Sequence, residues 1–133
     1  MKAVQINKTG GPEVLELKDI TLVKPEPNEV TIEQKAIGLN YIDTYHRSGL
    51  YPLTLPIGLG LEGAGVITDV GGNVKDFKVG DKISYAGIPL GSYSTHRNYP
   101  TKNLVKVPEG IDLEVAATSK LIPSGTFTKF FVG

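Results

Sequence analysis

Hydrophobic and polar residues alternate along several short stretches of the chain, and glycines and prolines separate these stretches. Residues 2–7 and 29–36 alternate between polar and apolar side chains over much of their length, a pattern typical of β-strands with one buried face. Similar or β-rich patterns predict further strands around residues 14–22, 64–70, 82–85, 92–99 and 103–107. Many short strands of this kind, with turn residues between them, indicate a mainly β protein, either a barrel or a sandwich.

Two stretches instead have helical spacing. Residues 39–48 predict a short helix that ends at Gly49, because glycine readily adopts the left-handed conformation that follows a last helical turn. Asp112 is a suitable N-cap for a second helix, with Glu114 in its first turn. Pro123 interrupts that second helix, and the chain then ends on an apolar run. We therefore expect one or two short helices beside the strands.

Composition narrows the classes of function. The 133 residues suffice for one domain with its own core. The 14 basic and 14 acidic residues balance, so no net field attracts nucleic acid or anionic lipid. No apolar run is long enough for a membrane helix and no signal peptide follows Met1, which predicts a soluble, cytoplasmic protein. The absence of cysteine excludes disulfides, thiolate metal ligands and a cysteine nucleophile.

Gly58, Gly60 and Gly63 have the G-x-G-x-x-G spacing of a dinucleotide-binding loop. That loop joins a buried strand to a helix whose N-terminus holds the pyrophosphate. Here prolines at 52 and 56 precede the glycines, and the strand-forming residues 65–70 follow them. We expect a glycine-rich bend that enters a strand.

Four segments, in order along the chain, resemble the N-terminal part of the zinc-independent quinone oxidoreductases, the zeta-crystallin-like branch of the medium-chain dehydrogenases. They are GGPEVL at 10–15, AIGLNYIDTYHRSGLYP at 36–52, GLGLEGAGV at 58–66 and VGD at 79–81. The resemblance implies a GroES-like β-barrel catalytic domain over residues 1–117. It also implies NADPH-dependent reduction of quinones or other activated enones. Residues 118–133 are expected to be a truncated crossover segment.

The same resemblance bears on zinc. Zinc-containing relatives use a cysteine and a histidine from these motifs as metal ligands, and here Asn40 and Leu61 stand at those positions. Catalytic zinc needs three protein ligands, which Glu62 alone cannot supply. His46 and His96 lie outside the ligand positions and are expected to be ordinary surface or partly buried histidines. We therefore expect no metal site.

The resemblance also assigns site residues. Asn40 and Tyr45 would face the nicotinamide and the substrate carbonyl, and Tyr51 would line the quinone pocket. Asp43 would brace the short helix, and the cofactor contacts would come from Asn40, Asp43, Tyr45 and Thr126. An amide and phenols suit this chemistry, because they can donate hydrogen bonds to an oxygen that becomes negative in the transition state.

Structural roles remain open for these residues. Asn40 and Asp43 are also typical caps of a short helix, and a helical tyrosine such as Tyr45 often lies in a core or at its rim. Glu62 could be a buried carboxylate that accepts hydrogen bonds from backbone amides of the glycine loop.

Members of this family are considerably longer and carry a nucleotide-binding Rossmann domain that this chain lacks. We therefore expect a truncated or partial reductase that folds, binds NADPH negligibly and shows no appreciable activity alone. The alternatives are a GroES-like interaction module, or one half of a split reductase completed by a separate nucleotide-binding chain. The apolar tail, with Phe127, Phe130 and Phe131, predicts self-association, with exchange of the C-terminal segment as one route.

Overall fold

A computed structural model describes residues 1–117 and the backbone of residues 128–131. The strands in this part are β1 Lys2–Ile6, β2 Glu16–Asp19, β3 Glu29–Leu39, β4 Ile57–Gly58, β5 Glu62–Val70, β6 Lys82–Ala86, β7 His96–Pro100, β8 Leu104–Lys106 and β9 Thr128–Phe131. The helices are α1 Tyr41–Ser48 and α2 Leu113–Ala117, and 3₁₀ turns lie at Pro12–Val14 and Thr101–Asn103. The predicted mainly β class with two short helices is confirmed.

The strands form two antiparallel sheets. The smaller sheet has the order β2-β1-β4, and the larger has the order β7-β3-β5-β6-β8, with β9 also paired to β3. A single bridge between Ala3 and Ser94 links β1 to the segment that precedes β7. The long strand β3 is therefore the centre of the structure, and α1 begins close to its end.

The core follows the alternation along the strands. Its largest cluster combines apolar side chains of β3, β5, β6, β7 and β8: Val30, Ile32, Ile67, Ile83, Tyr85, Tyr99 and Leu104. A second cluster joins α2 to the sheet through four alanines, Ala36, Ala64, Ala116 and Ala117. Side chains this small let the helix lie close against β3 and β5.

Helix α1 has the predicted end. Gly49 takes the left-handed conformation, with φ of +88°, and its N–H donates to the carbonyl of His46 at 3.3 Å. Because no side chain is present, glycine adopts this conformation without steric cost. Neither helix of the described residues has the length and apolar character needed to cross a membrane.

The glycine-rich segment is the predicted bend into a strand. Gly60 has φ of +92°, and β5, not a helix, begins at Glu62. The short strand β4 was not predicted, because two residues are too few to show a period. Residues 20–22 were predicted as part of a strand, but the structure ends β2 at Asp19.

Candidate functional site

The start of α1 is held by a reciprocal contact between two predicted site residues. The backbone N–H of Asn40 donates to Oδ2 of Asp43 at 3.0 Å, and the backbone N–H of Asp43 donates to the carbonyl of Asn40 at 3.0 Å. A carboxylate in the first turn also suits the positive end of the helix dipole. Asp43 therefore braces the helix, as the resemblance implied, and its contact with a cofactor stays a prediction.

Asp43 has a second partner, which the sequence had not suggested. The hydroxyl of Tyr93 donates to Oδ2 of Asp43 at 2.6 Å, and Asp43 is only 3% exposed. Burial raises the pKa of Asp43, while the hydrogen bonds from Tyr93 and Asn40 oppose that rise. Burial and the Asp43 carboxyl both raise the pKa of Tyr93, so its hydroxyl remains a proton donor at neutral pH.

The side chain of Asn40 contacts a different carboxylate. Its Nδ2 donates to Oε2 of Glu62 at 2.9 Å. Glu62 is fully buried at the start of β5, whereas Asn40 is half-buried at the end of β3. The sequence suggested backbone amides as partners of Glu62, and the structure adds this side-chain partner.

Tyr45 and Tyr51, both predicted catalytic residues, lie together on an exposed face. Their rings meet edge to face with centroids 5.6 Å apart, and the N–H of Tyr51 donates to the carbonyl of Tyr45 at 3.2 Å. Tyr45 is 39% and Tyr51 47% exposed. The His46 ring also packs edge-on against Tyr51, at 6.0 Å. Both phenol rings are therefore partly accessible to a ligand.

The predicted site residues thus form two groups. Asn40 and Asp43 are in direct contact, through the backbone N–H of Asn40 and the carboxylate of Asp43. Tyr45 follows Asp43 by two positions, which places it about 200° further around the helix. Accordingly Asp43 is buried while Tyr45 is partly exposed. Thr126, the remaining predicted cofactor contact, lies outside the described residues.

A buried polar network fixes the segment that carries Tyr93. Gln34 donates from Nε2 to the carbonyls of Ser92 at 2.7 Å and Ser94 at 2.9 Å, and its Oε1 accepts from the Tyr85 hydroxyl. Arg97, 6% exposed, lies with its guanidinium 5.1 Å from the centre of the Tyr85 ring. Sequence reasoning missed this network, because alternation in residues 92–99 indicates a strand without indicating partners.

Metal ligands are not clustered in the part of the chain that the structure describes. No group of three or more histidine, cysteine, aspartate or glutamate side chains there could hold an ion. His46 packs against Tyr51, and His96 has its Nδ1 3.2 Å from the Thr95 hydroxyl. Zinc independence of the site stays a prediction.

The site can supply hydrogen-bond donors to a ligand. The amide of Asn40 and the phenols of Tyr45 and Tyr51 are of the type that binds and polarises a carbonyl oxygen. A phosphate cradle, by contrast, needs glycine-loop amides at a helix N-terminus. The glycine-rich bend at residues 58–63 leads into β5 and does not provide one.

Comparison with known proteins identifies the fold. Residues 26–109 match the alcohol dehydrogenase GroES-like domain. Over 121 residues the chain is 52% identical to a quinone oxidoreductase of Pseudomonas aeruginosa, covering 90% of this chain and 37% of that protein. It superposes with a TM-score of 0.87 and 46% identity on the Escherichia coli quinone oxidoreductase complexed with NADPH, covering 90% of this chain and 37% of that one.

A third relative differs in its substrate. A 2-haloacrylate reductase of a Burkholderia species is 37% identical over 134 residues, covering 98% of this chain and 40% of that protein. The chain thus spans between a third and a half of the length of these relatives. The family match itself extends over most of the chain and includes β3, α1 and β5, and with them Asn40, Asp43 and Glu62. The chain belongs to the alcohol dehydrogenase GroES-like domain family, within the medium-chain dehydrogenase superfamily.

Proposed function

We propose that residues 1–117 form the GroES-like catalytic part of an NADPH-dependent reductase of quinones or other activated enones that works without zinc. The observation that carries the proposal is the Asn40 amide, held beside Glu62 at the start of α1. It is supported by the similarity to a quinone oxidoreductase solved with NADPH.

In this proposal the bound cofactor supplies the hydride, and the protein supplies position and hydrogen bonds. Asn40 and Tyr45 face the nicotinamide and the substrate carbonyl, where a donor stabilises the negative charge that develops on oxygen. Tyr51, in edge contact with Tyr45, lines the quinone pocket. Asp43 is buried and acts by holding the backbone of Asn40.

The 133-residue chain alone is proposed to be inactive. The described residues offer no phosphate cradle, so the pyrophosphate and adenosine of NADPH would gain little binding energy. Without that energy the nicotinamide is not held in attack geometry. Calorimetric titration with NADPH tests this: we expect no saturable binding up to about 1 mM, corresponding to about −4 kcal/mol. Saturable micromolar binding, or quinone-dependent NADPH oxidation at ordinary enzyme rates, would contradict the proposal.

A chimera tests the catalytic role. Residues 1–117 would replace the matching segment of the Pseudomonas aeruginosa quinone oxidoreductase, to which the chain is 52% identical. We expect the chimera to oxidise NADPH with a quinone, and Asn40→Ala to lower kcat by about 10²-fold, the effect of losing one transition-state donor. Tyr41→Phe, which changes a 65% exposed neighbour on α1, is the matched control. A folded chimera that binds NADPH without turnover would refute the role.

A second candidate is one half of a split reductase. Its support is the exposed apolar surface around α1, where Tyr41 and Leu50 are each 65% exposed. Mixing the 133-residue chain with the complementary segment of the same relative, produced separately, should then restore NADPH oxidation. If both segments fold and their mixture is inactive, the split-reductase candidate is refuted.

A further inference from the structure

We propose that Glu62 is a positioning residue that fixes the orientation of the Asn40 side-chain amide. The inference rests on the proposed function, in which Asn40 faces the nicotinamide and the substrate. Within that function, the inference adds Glu62, at the start of β5, as the residue that determines which atoms of the Asn40 amide face the ligand.

The chemistry of the contact sets the orientation. Nδ2 of Asn40 lies 2.9 Å from Oε2 of Glu62. A carboxylate only accepts hydrogen bonds, so the NH₂ of the amide, and not its oxygen, must face Glu62. A flipped amide would bring two oxygens together at that distance. One N–H of the Asn40 amide therefore remains for a ligand.

The backbone of β3 is shaped to admit this carboxylate. A Cβ placed on Gly38 would lie 2.8 Å from Cδ of Glu62, much closer than side chains pack. Gly38 has no positive φ, so glycine is needed here for the space that it leaves and not for its backbone conformation. The glycine two residues before Asn40 thus lets the Glu62 carboxylate lie against the strand.

Glu62 and Arg97 are both buried and both act on Tyr85. Arg97 places Nη1 3.4 Å from the Tyr85 hydroxyl. Burial raises the pKa of that hydroxyl, Arg97 lowers it and the charge of Glu62 raises it. Because Asp43 holds the backbone N–H of Asn40 separately, Glu62 acts on the side chain.

Hydrogen exchange of the Asn40 side chain tests the proposal on the 133-residue chain. Nuclear magnetic resonance reports the Asn40 NH₂ signals, assigned by their loss in Asn40→Ser. We expect one NH₂ proton to exchange at least about tenfold more slowly than those of Asn7, whose amide contacts Glu16 at the exposed surface. Equal exchange at Asn40 and Asn7 in the wild-type chain would overturn the proposal, and this comparison needs no substitution at Glu62.

The variant Glu62→Gln distinguishes an effect on the orientation of the Asn40 amide from an effect on folding. We expect it to move the Asn40 side-chain signals and to raise their exchange about tenfold, while the backbone N–H of Asn40, bound to Asp43, keeps its shift. The control Glu16→Gln removes the charge from an exposed asparagine–glutamate pair and should leave Asn40 unchanged. Unchanged Asn40 side-chain signals in a folded Glu62→Gln chain would refute the assignment.

Turnover then tests the role in the reaction. In the chimera, Glu62→Gln should lower kcat about tenfold with a smaller change in KM, because the amide is misoriented and not removed. An unchanged kcat would overturn the positioning role. A chimera with no activity at all would instead contradict the proposed function, and the exchange measurement would still decide whether Glu62 holds Asn40.

Discussion

The Tyr93 hydroxyl connects the loop before β7 to the first turn of α1, through a single hydrogen bond to Asp43. The carboxylate that accepts this hydrogen bond is buried, since Asp43 is only 3% exposed. Gly60 leaves room for the tyrosine ring: a Cβ there would lie 2.8 Å from Cε1 of Tyr93. At the scale of single residues, the position of Asn40 therefore depends on side chains more than fifty residues away along the chain.

The contribution of this hydrogen bond can be measured with Tyr93→Phe. Removing the hydroxyl leaves the buried Asp43 carboxyl with one partner fewer, which should lower the free energy of unfolding by about 1–3 kcal/mol. Urea denaturation of the two chains measures the difference. Tyr41→Phe removes a hydroxyl from a 65% exposed ring and should change stability by less than about 0.5 kcal/mol. Equal effects of the two substitutions would show that the Tyr93 hydroxyl does not stabilise the fold.

The raised pKa of Asp43 predicts how the stability of the fold depends on pH. Burial raises its pKa in the folded chain above the ordinary value of 3.8. The ionised form is therefore disfavoured by folding, and stability present below pH 3.8 is lost as the pH rises through the higher folded pKa. We expect the stability of the wild-type chain relative to Asp43→Asn to fall as the pH is raised from acid to neutral.

Asp19 provides a control, because its pKa is shifted in the opposite direction. The hydrogen bond and charge of Lys2 lower the pKa of this exposed carboxyl, so its contribution is lost as the pH falls. The stability of the wild-type chain relative to Asp19→Asn should therefore rise, or stay level, over the same range. Urea midpoints measured at several pH values give both comparisons. A rising wild-type advantage over Asp43→Asn would contradict the effect of burial.

At the scale of elements, α1 was predictable because its signals are local. The turn-forming Gly49 follows the helical spacing directly, and both the helix and its left-handed end were found. The strands with clear alternation, such as β1 and β3, were also found, although β3 runs on to Leu39. The contacts of Asn40 with Glu62 and of Asp43 with Tyr93 were not predictable, because they join segments distant in sequence whose pairing is set by the sheet.

The end of α1 gives a prediction at this scale. Gly49→Ala forces a Cβ into the left-handed conformation at φ of +88° and brings it 3.0 Å from the Thr9 side chain. We expect a loss of about 1–2 kcal/mol in the free energy of unfolding. Gly72→Ala is the matched control, since a Cβ there meets nothing within 4 Å and no positive φ is required. A Gly49→Ala chain as stable as Gly72→Ala would show that the cap contributes nothing.

At the scale of the whole molecule, the described part of the chain carries the polar contacts of the proposed site. Asn40, Glu62 and Tyr93 form their hydrogen bonds within residues 1–117. The relatives with the same fold are more than twice as long, since the chain covers about 37% of them. The proposed function assigns the geometry for a carbonyl to residues 1–117 and does not assign nucleotide binding to them, so the experiments above measure the two properties separately.

The pairing of β9 with β3 leads to the last prediction. Residues 128–131 add a strand along Ala36–Leu39, and residues 118–127 connect them to α2. A connection of this length can span up to about 35 Å, so the same pairing can form with β3 of a second copy. We expect a concentration-dependent dimer by light scattering, and its loss when residues 118–133 are deleted. Because the core clusters lie within residues 1–117, the shortened chain should still unfold cooperatively. A shortened chain that associates as strongly as the full chain would place the contact elsewhere, for example on the β3 edge left unpaired by the deletion.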